Sequence, residues 1–302
     1  MNTYTNKFTP LQAGKIKELL VKENAVFDTI QYAQWRAKTK GFQAMYYNSG
    51  KFLAQGKDVS ALAQKIDDIL GIKSVSTKPK EQNQETINVE HEVYIGTDES
   101  GKGDFFGPLV IAGVQVNKEN SKLFTELGIK DSKKLDDEKI KKMSAHIRNN
   151  SIHSVIVITP NKYNELYSKF KNLNKLLAWG HARAIENILE KQPCEYALSD
   201  KFGDEKLIQN ALLEKGQKIK LDQRVRAESN IAVAAASIIA RAEYVKRMEE
   251  LSGRYSLTLP KGASNKVLEQ GKAFVKQEGQ SALSQVAKLH FKTTQDILSG
   301  TK

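Results

Sequence analysis

The chain lacks most of what would mark a secreted, membrane-bound or disulfide-stapled protein. Its single cysteine, Cys194, allows no intrachain disulfide, so a reducing, cytoplasmic location is expected. No apolar run reaches the roughly 18 residues that a bilayer demands. The polar start, Met1–Lys7, has no signal-peptide apolar region. There is no internal repeat. Histidine is scarce, with five in 302 residues, and neither His181 nor His290 has a partner at metal-ligand spacing, so structural roles are expected for both. Cys194 has no activating base nearby in sequence and reads as a small buried residue rather than a nucleophile.

What the chain has in excess is positive charge, a net +12 spread unevenly. Residues 1–80 hold 13 Lys and Arg against 6 Asp and Glu, while residues 81–302 hold 34 against 29. A basic N-terminal quarter suits a polyanionic partner, because each neutralised phosphate releases counterions. The length favours two domains, and 40% hydrophobic content is enough for a sizeable core in the larger one.

Thr9-Pro10 reads as the cap and first residue of a helix to about Lys22. Strand-like runs follow near Tyr32–Lys38, Phe42–Tyr47 and Lys51–Gln55, the last two joined by a Ser49-Gly50 turn. Asp58 or Ser60 then caps a second helix that ends at Gly71. The pattern predicts a small antiparallel sheet with helices on one face. Its open face carries Gln34, Arg36, Lys38, Gln43 and Tyr47, groups able to reach the sugar and base edges of a nucleic-acid groove. The plainer alternative is a solvated sheet face. Residues 75–90 turn to Ser, Thr, Lys, Pro, Gln and Glu without periodicity and read as a flexible tether between domains 1–74 and 91–302.

Beyond the tether the pattern becomes mixed α/β. Apolar strands at Val93–Thr97 and Pro108–Val116 form a hairpin with a polar apex. Helices are expected near Asp136–Arg148, Leu173–Lys191, Asp204–Lys215, Asn230–Glu250 and Lys266–Glu278, with strands at Ser154–Thr159, Tyr196–Asp200 and Lys218–Leu221. Four acids fall at element ends: Asp98 and Glu99 after the first strand, Asp200 after a later one, and Glu228 before the buried helix. Such hard oxygen ligands suit Mg²⁺ or Mn²⁺ completed by substrate phosphate. Two such ions would activate a water and stabilise the departing oxygen in phosphodiester cleavage.

Gly96-Thr97-Asp98-Glu99-Ser100-Gly101-Lys102-Gly103 also nears the P-loop spacing, but Gly103 stands where a Ser or Thr must hold Mg²⁺. Asp98 and Glu99 would repel the phosphates, and the chain continues into a strand where a P-loop needs a helix. A nucleotide triphosphatase is therefore set aside.

The stretch Asp98-Glu99-Ser100-Gly101-Lys102-Gly103-Asp104, with Phe106-Gly107-Pro108-Leu109, resembles the opening motif of the type 2 ribonucleases H. Its Gly-Lys-Gly form is similar to the HIII branch, where the HII branch has Gly-Arg-Gly. The likeness continues in order through Lys130-Asp131-Ser132-Lys133-Lys134-Leu135, Ala197-Leu198-Ser199-Asp200, Glu228-Ser229 and Ala235-Ala236-Ser237-Ile238-Ile239-Ala240-Arg241. It covers roughly residues 90–292.

The resemblance implies a ribonuclease H-like catalytic domain, a mixed sheet with flanking helices, preceded by a small α+β TATA-binding-protein-like domain that grips RNA/DNA hybrid. It implies an endoribonuclease that cuts the RNA strand of such hybrids, leaving 5′-phosphate and 3′-hydroxyl ends. Asp98, Glu99, Asp200 and Glu228 would hold two Mg²⁺ or Mn²⁺ ions, with Asp98 bridging both. The Gly101-Lys102-Gly103 backbone would read the ribose 2′-hydroxyls, and Lys102, Lys133 and Lys134 could steer phosphates. Where the HII branch has His-Lys-Gly-Tyr, this chain has Pro260-Lys261-Gly262-Ala263. The missing tyrosine argues against incision at a single embedded ribonucleotide and favours cleavage within longer RNA tracts. The non-enzymatic alternative is a hybrid-binding protein whose acids are structural. Nothing in the sequence demands more than a monomer, and no membrane partner is expected.

Overall fold

The computed structural model describes residues 2–30, 32–71, 89–129 and 135–299, apart from the side chains of Asn2 and Glu205. Contacts divide the chain into two compact units, residues 1–83 and 84–302. Apart from Val89 and Glu90, the expected tether lies outside the described residues, as do Lys130-Asp131-Ser132-Lys133-Lys134.

The first unit is a five-stranded antiparallel sheet of order β1-β5-β4-β3-β2, formed by β1 (Asn2–Lys7), β2 (Val26–Asp28), β3 (Ala33–Lys38), β4 (Phe42–Tyr47) and β5 (Lys51–Gly56). Helices α1 (Pro10–Lys22) and α2 (Val59–Leu70) carry its remaining apolar surface. Thr9 caps α1 in a full capping box with Gln12, and Gly71 ends α2 in the left-handed conformation, as the residue types dictate. Ile16, Leu20, Leu62 and Ile66 pack against Trp35, Ala37, Ala44, Tyr46, Phe52 and Ala54. Strands β1 and β2 were not among the expected elements. Asn-Thr-Tyr-Thr-Asn-Lys has no apolar alternation, and β2 has only three residues. Pairing orders them, β1 with β5 and β2 with β3.

The second unit is built on a mixed sheet of order β10-β9-β6-β7-β8. Its strands are β6 (Tyr94–Ser100), β7 (Leu109–Val116), β8 (Ile152–Ile158), β9 (Tyr196–Asp200) and β10 (Lys220–Arg224). Strands β6, β9 and β10 run parallel to one another, while β7 and β8 are antiparallel to their neighbours. Its helices are α3 (Lys118–Glu126), α4 (Asp137–Asn149), α5 (Pro160–Phe170), α6 (Leu173–Leu189), α7 (Glu205–Ala211), α8 (Ile231–Arg254), α9 (Asn265–Glu278) and α10 (Lys292–Ser299). Helices α3, α5 and α10 were not anticipated from periodicity.

Alternation along the central strands explains why both faces are covered. Val110, Ala112, Val114 and Val116 join the cluster that contains α8, whereas Leu109 and Ile111 join the one that contains α6. Asn230 caps α8 through Ala232 N and Val233 N, and the run Ala232–Ala240 is buried throughout. At Gly96 a Cβ would lie 2.3 Å from the α8 backbone, so glycine is what lets helix and strand approach this closely. The covered faces leave the strand ends as the accessible part of this sheet.

Candidate active site

The acids lie inside a strand, not after it. Asp98, Glu99 and Ser100 continue the β6 ladder, opposite Ala112, Ile111 and Val110 of β7. This corrects the expectation that β6 ends at Thr97. The backbone of the two acids is held by strand pairing, and their side chains leave the sheet on opposite faces. Asp98 turns toward α8, where it is hydrogen-bonded by Ser237, and its Oδ1 accepts from Glu99 N at 2.8 Å. Glu99 turns toward α6 and meets His181.

Parallel pairing brings in the third acid. Thr97 is level with Ser199, the last pair of this parallel ladder, so Asp98 and Asp200 follow side by side just beyond it. Asp200 Oδ1 accepts from Ala227 N at 3.1 Å, which ties it to the short helical turn Ala227–Ser229 bearing Glu228. That turn is preceded by Arg226 in the left-handed conformation, a costly backbone state for a side chain of its size.

The electrostatics of this edge are those of crowded like charges. Burial, then the neighbouring charge of Glu99, pushes the Asp98 carboxyl up to about 8, with Asp200 adding to the rise. Asp200 is also raised, by burial and by the charges of Glu228 and Glu99, although the Ala227 N–H opposes this. Glu99 behaves oppositely. Burial pushes it up, but His181 and Lys102 overcome that and hold it near 2. Among the described residues no group of three acids or histidines is spaced to cage an ion by itself. The donor set is nonetheless all carboxylate, with Asp98 and Asp200 facing like charge. That fits an open site for a hard divalent cation whose coordination is completed by water and substrate oxygen.

His181 was expected to be structural, yet it touches the site. It is fully buried, with Nδ1 2.8 Å from Thr97 Oγ1 and Nε2 3.2 Å from Glu99 Oε2. A carboxylate only accepts, so Nε2 carries the proton that binds Glu99. Phe202 stacks on the imidazole at 4.9 Å, and Lys102 Nζ lies 5.6 Å from the Phe202 ring while reaching Glu99 Oε1 at 3.1 Å. Lys102 is therefore engaged with Glu99. The signal that could have found His181 was a titratable residue inside the buried stripe of α6, beside Leu177 and Ala184. His290, by contrast, stacks on Tyr167 at 4.3 Å, as a structural residue would.

The two glycines around Lys102 have different reasons to be there. Gly101 has a φ of +85°, and a Cβ would come within 2.3 Å of Pro108 O, so the fold requires it. Gly103 has no neighbour within 4 Å of a would-be Cβ among the described residues. The fold leaves that space open, and something outside the chain can occupy it. The Lys261-Gly262 turn docks beside this loop, with Lys261 Nζ 2.8 Å from Asp137 Oδ2 and Gly262 N donating to Asp104 Oδ1 at 2.6 Å.

On the first unit, the expected open face is present but partly neutralised. Arg36 makes a two-point ion pair with Asp28, which Lys38 joins at 3.2 Å. Met45 and Leu53 pair at its centre.

The ribonuclease HII family model matches residues 95–294. The chain is 40% identical to the ribonuclease HIII of Protochlamydia amoebophila over 272 residues, covering 88% of this chain and 87% of that protein. It is 38% identical to the ribonuclease HIII of Chlamydia abortus over 301 residues, with 99% and 98% covered. Among solved structures it is similar to Bst-RNase HIII in complex with Mn²⁺, with a TM-score of 0.67 at 29% identity over 100% of this chain and 99% of that one. Aquifex aeolicus RNase H3 gives 0.57 at 28% identity, covering 96% and 100%.

Proposed function

The chain belongs to the type 2 ribonuclease H family, with its curated relatives in the HIII branch, and we propose that it hydrolyses the RNA strand of RNA/DNA hybrids from the acidic edge of its second unit. In this reading Asp98, Glu99, Asp200 and Glu228 hold two divalent ions, Mg²⁺ or Mn²⁺. Ions bound there would supply an activated water and stabilise the departing oxygen, leaving 5′-phosphate and 3′-hydroxyl ends. The carrying observation is that Asp98 and Asp200 directly follow the last paired residues of two neighbouring parallel strands, Thr97 and Ser199, where burial, then the charge of Glu99 and last that of Asp200, push Asp98 up to about 8.

The chain's own groups do the positioning. Strand pairing fixes the Asp98 and Glu99 backbone, Ser237 and Glu99 N orient the Asp98 carboxylate, and Ala227 N orients Asp200. His181 and Lys102 hold Glu99 ionised. The open space over Gly103 lets a ribose come close to backbone groups, which supports 2′-hydroxyl reading by Gly101-Lys102-Gly103. With Ala263 in place of an aromatic, cleavage falls within longer RNA tracts. The first unit, joined through a tether, lays its open sheet face on the hybrid, and the protein acts as a cytoplasmic monomer. No helix among the described residues is long and apolar enough to cross a membrane.

The non-catalytic alternative, with structural acids, finds little support in how acids elsewhere are handled. Asp137, for example, is paired with both Arg241 and Lys261, whereas Asp98 is placed beside further carboxylates. Incubating a labelled hybrid with Mg²⁺ or Mn²⁺, and with EDTA as control, decides the matter. RNA-strand cleavage that EDTA abolishes is expected, and an intact RNA strand with both ions sinks the nuclease reading.

A further inference from the structure

Among the described residues Lys288 is the largest charged side chain buried outside the acidic edge, with 0% of its surface exposed. A buried ammonium has three protons to satisfy, and here all of them point at one short stretch of backbone. Nζ donates to Asp104 O at 2.8 Å, Gly107 O at 2.8 Å and Phe106 O at 3.4 Å. The Tyr163 ring lies beneath it at 5.7 Å. Those three carbonyls belong to the loop that leaves Gly101-Lys102-Gly103 and enters β7. Burial pulls the Lys288 ammonium down to about 7, while the Asp104 carboxylate acts the other way.

The segment around Lys288 grips the same loop by its backbone. Lys288 N donates to Phe105 O, Gly107 N donates to Val286 O, and Phe106 bridges to Ala287. The segment is anchored from behind by Asn164 of α5, whose side chain donates to Ala287 O and accepts from Leu289 N, each at 2.9 Å. A rigid path therefore runs from α5 through residues 284–289 to Lys288, and from its ammonium to residues 104–107. An apolar residue would fill the same volume but leave the Asp104 and Gly107 carbonyls without this donor, each a costly buried acceptor, and Phe106 O with only the Tyr244 hydroxyl at 3.4 Å.

We infer that Lys288 is a positioning residue for substrate, holding loop 104–107 and through it the Gly101-Lys102-Gly103 backbone in the shape that meets the hybrid. This rests on the reading of Gly101-Lys102-Gly103 as the ribose contact. The acids of β6 and β9 have their own supports, so the effect of losing Lys288 falls on substrate engagement and not on ion binding.

The test compares the full-length protein with Lys288→Met, and with Lys288→Gln, which keeps N–H donors. Three quantities are read: KM and kcat on a hybrid, Mn²⁺ affinity by calorimetry, and hydrogen exchange of the Phe105 and Gly107 amides. The expected result for Lys288→Met is a KM raised about tenfold with kcat changed much less. Mn²⁺ affinity should be unchanged, and the two loop amides should exchange faster while those of α8 stay protected. Lys288→Gln should lie between. A folded Met variant with unaltered KM and loop exchange overturns the inference. So does global loss of protection in both variants, because that is what a merely structural lysine would give. Wild-type cleavage of a hybrid carrying 2′-deoxy sugars at the scissile step separates the two readings. If the wild type is indifferent to that change, the ribose-contact reading fails, while the exchange data still report on Lys288.

Discussion

Both units are sheets dressed with helices, and they differ in which part of the sheet is left uncovered. In the first unit α1 and α2 pack on one face of an antiparallel sheet, and the other face lies open across five strands. In the second, α6 and α8 cover the two faces, leaving the strand ends. The charges follow the same division. On the open face Asp28 partly neutralises Arg36 and Lys38 in pairs that solvent screens. At the acidic edge carboxylates are enclosed together, so burial first and the neighbouring charge of Glu99 second push Asp98 up to about 8. An open face suits many weak, exchangeable contacts with a long polyanion. An enclosed edge suits a few groups whose positions must be set by packing, which is what bond-breaking chemistry needs.

The sharpest way to break this contrast is Asp98→Asn. Its partners at the edge are groups that already tune a ligand, and outer-shell losses alone cost about 10–100-fold, so cleavage should fall by more than about a hundredfold. The same change should stabilise the metal-free protein. With its pKa raised to about 8 from an ordinary 3.8, folded Asp98 keeps a proton that the unfolded chain releases. The wild type without metal therefore loses stability from this group as pH rises between those values. Asparagine carries no such proton, and the variant should melt higher near pH 8, by about 2–4 °C for each kcal/mol recovered. Thermal melts in EDTA across pH check this, and a lower melting point at pH 8 would contradict the account of crowded charge.

Next in size is His181→Ala, which removes the proton donor that holds Glu99. Mn²⁺ affinity should drop roughly 10–100-fold by calorimetry. An unchanged affinity would return His181 to the core as a space-filler.

The glycines test the same contrast within one loop. Gly101→Ala should destabilise by more than about 1 kcal/mol, because its φ of +85° and its crowding forbid a Cβ. Gly103→Ala should melt like the wild type yet raise KM for hybrid by about tenfold, since only an outside molecule meets the new methyl. Equal loss of stability in the two variants would erase the distinction.

The smallest effect belongs to the open face. Asp28→Ala frees Arg36 and Lys38, so hybrid affinity should rise a few-fold. The slope of log affinity against log salt should steepen by about 0.9 for each freed cation that meets a phosphate. Titrations at several salt concentrations measure it, and an identical slope would mean that this face does not touch the hybrid backbone.

Much of this was legible locally. The capping box at Thr9, the αL end at Gly71, strand β9 to the residue, and the Ala- and Ile-rich α8 all follow from residue type and period, because their causes lie within a few positions. Strand β1 was invisible because Tyr4 is its one core-packing side chain among polar residues and its order comes from β5. The hairpin was foreseen, but not that β6 runs on through Ser100, since acids read as a strand's end until the partner ladder is known. Lys102 read as able to steer phosphates, and only the folded chain shows it against Glu99.

By itself the sequence determined the identity and order of the acids, the glycine-flanked lysine, the helix caps and the family pattern, all matters of residue type at short separation. Only the tertiary structure decided that Asp98 and Asp200 stand side by side, that Glu99 belongs to His181, that Gly103 faces open space among the described residues, and that Lys288 holds loop 104–107 from 181 residues away in sequence, as its bond to Gly107 O requires. The reason is physical. Alternation and capping act over a few residues of backbone, whereas the meeting of distant charges depends on parallel strand register and on which helix covers which face, and neither is written in any single stretch.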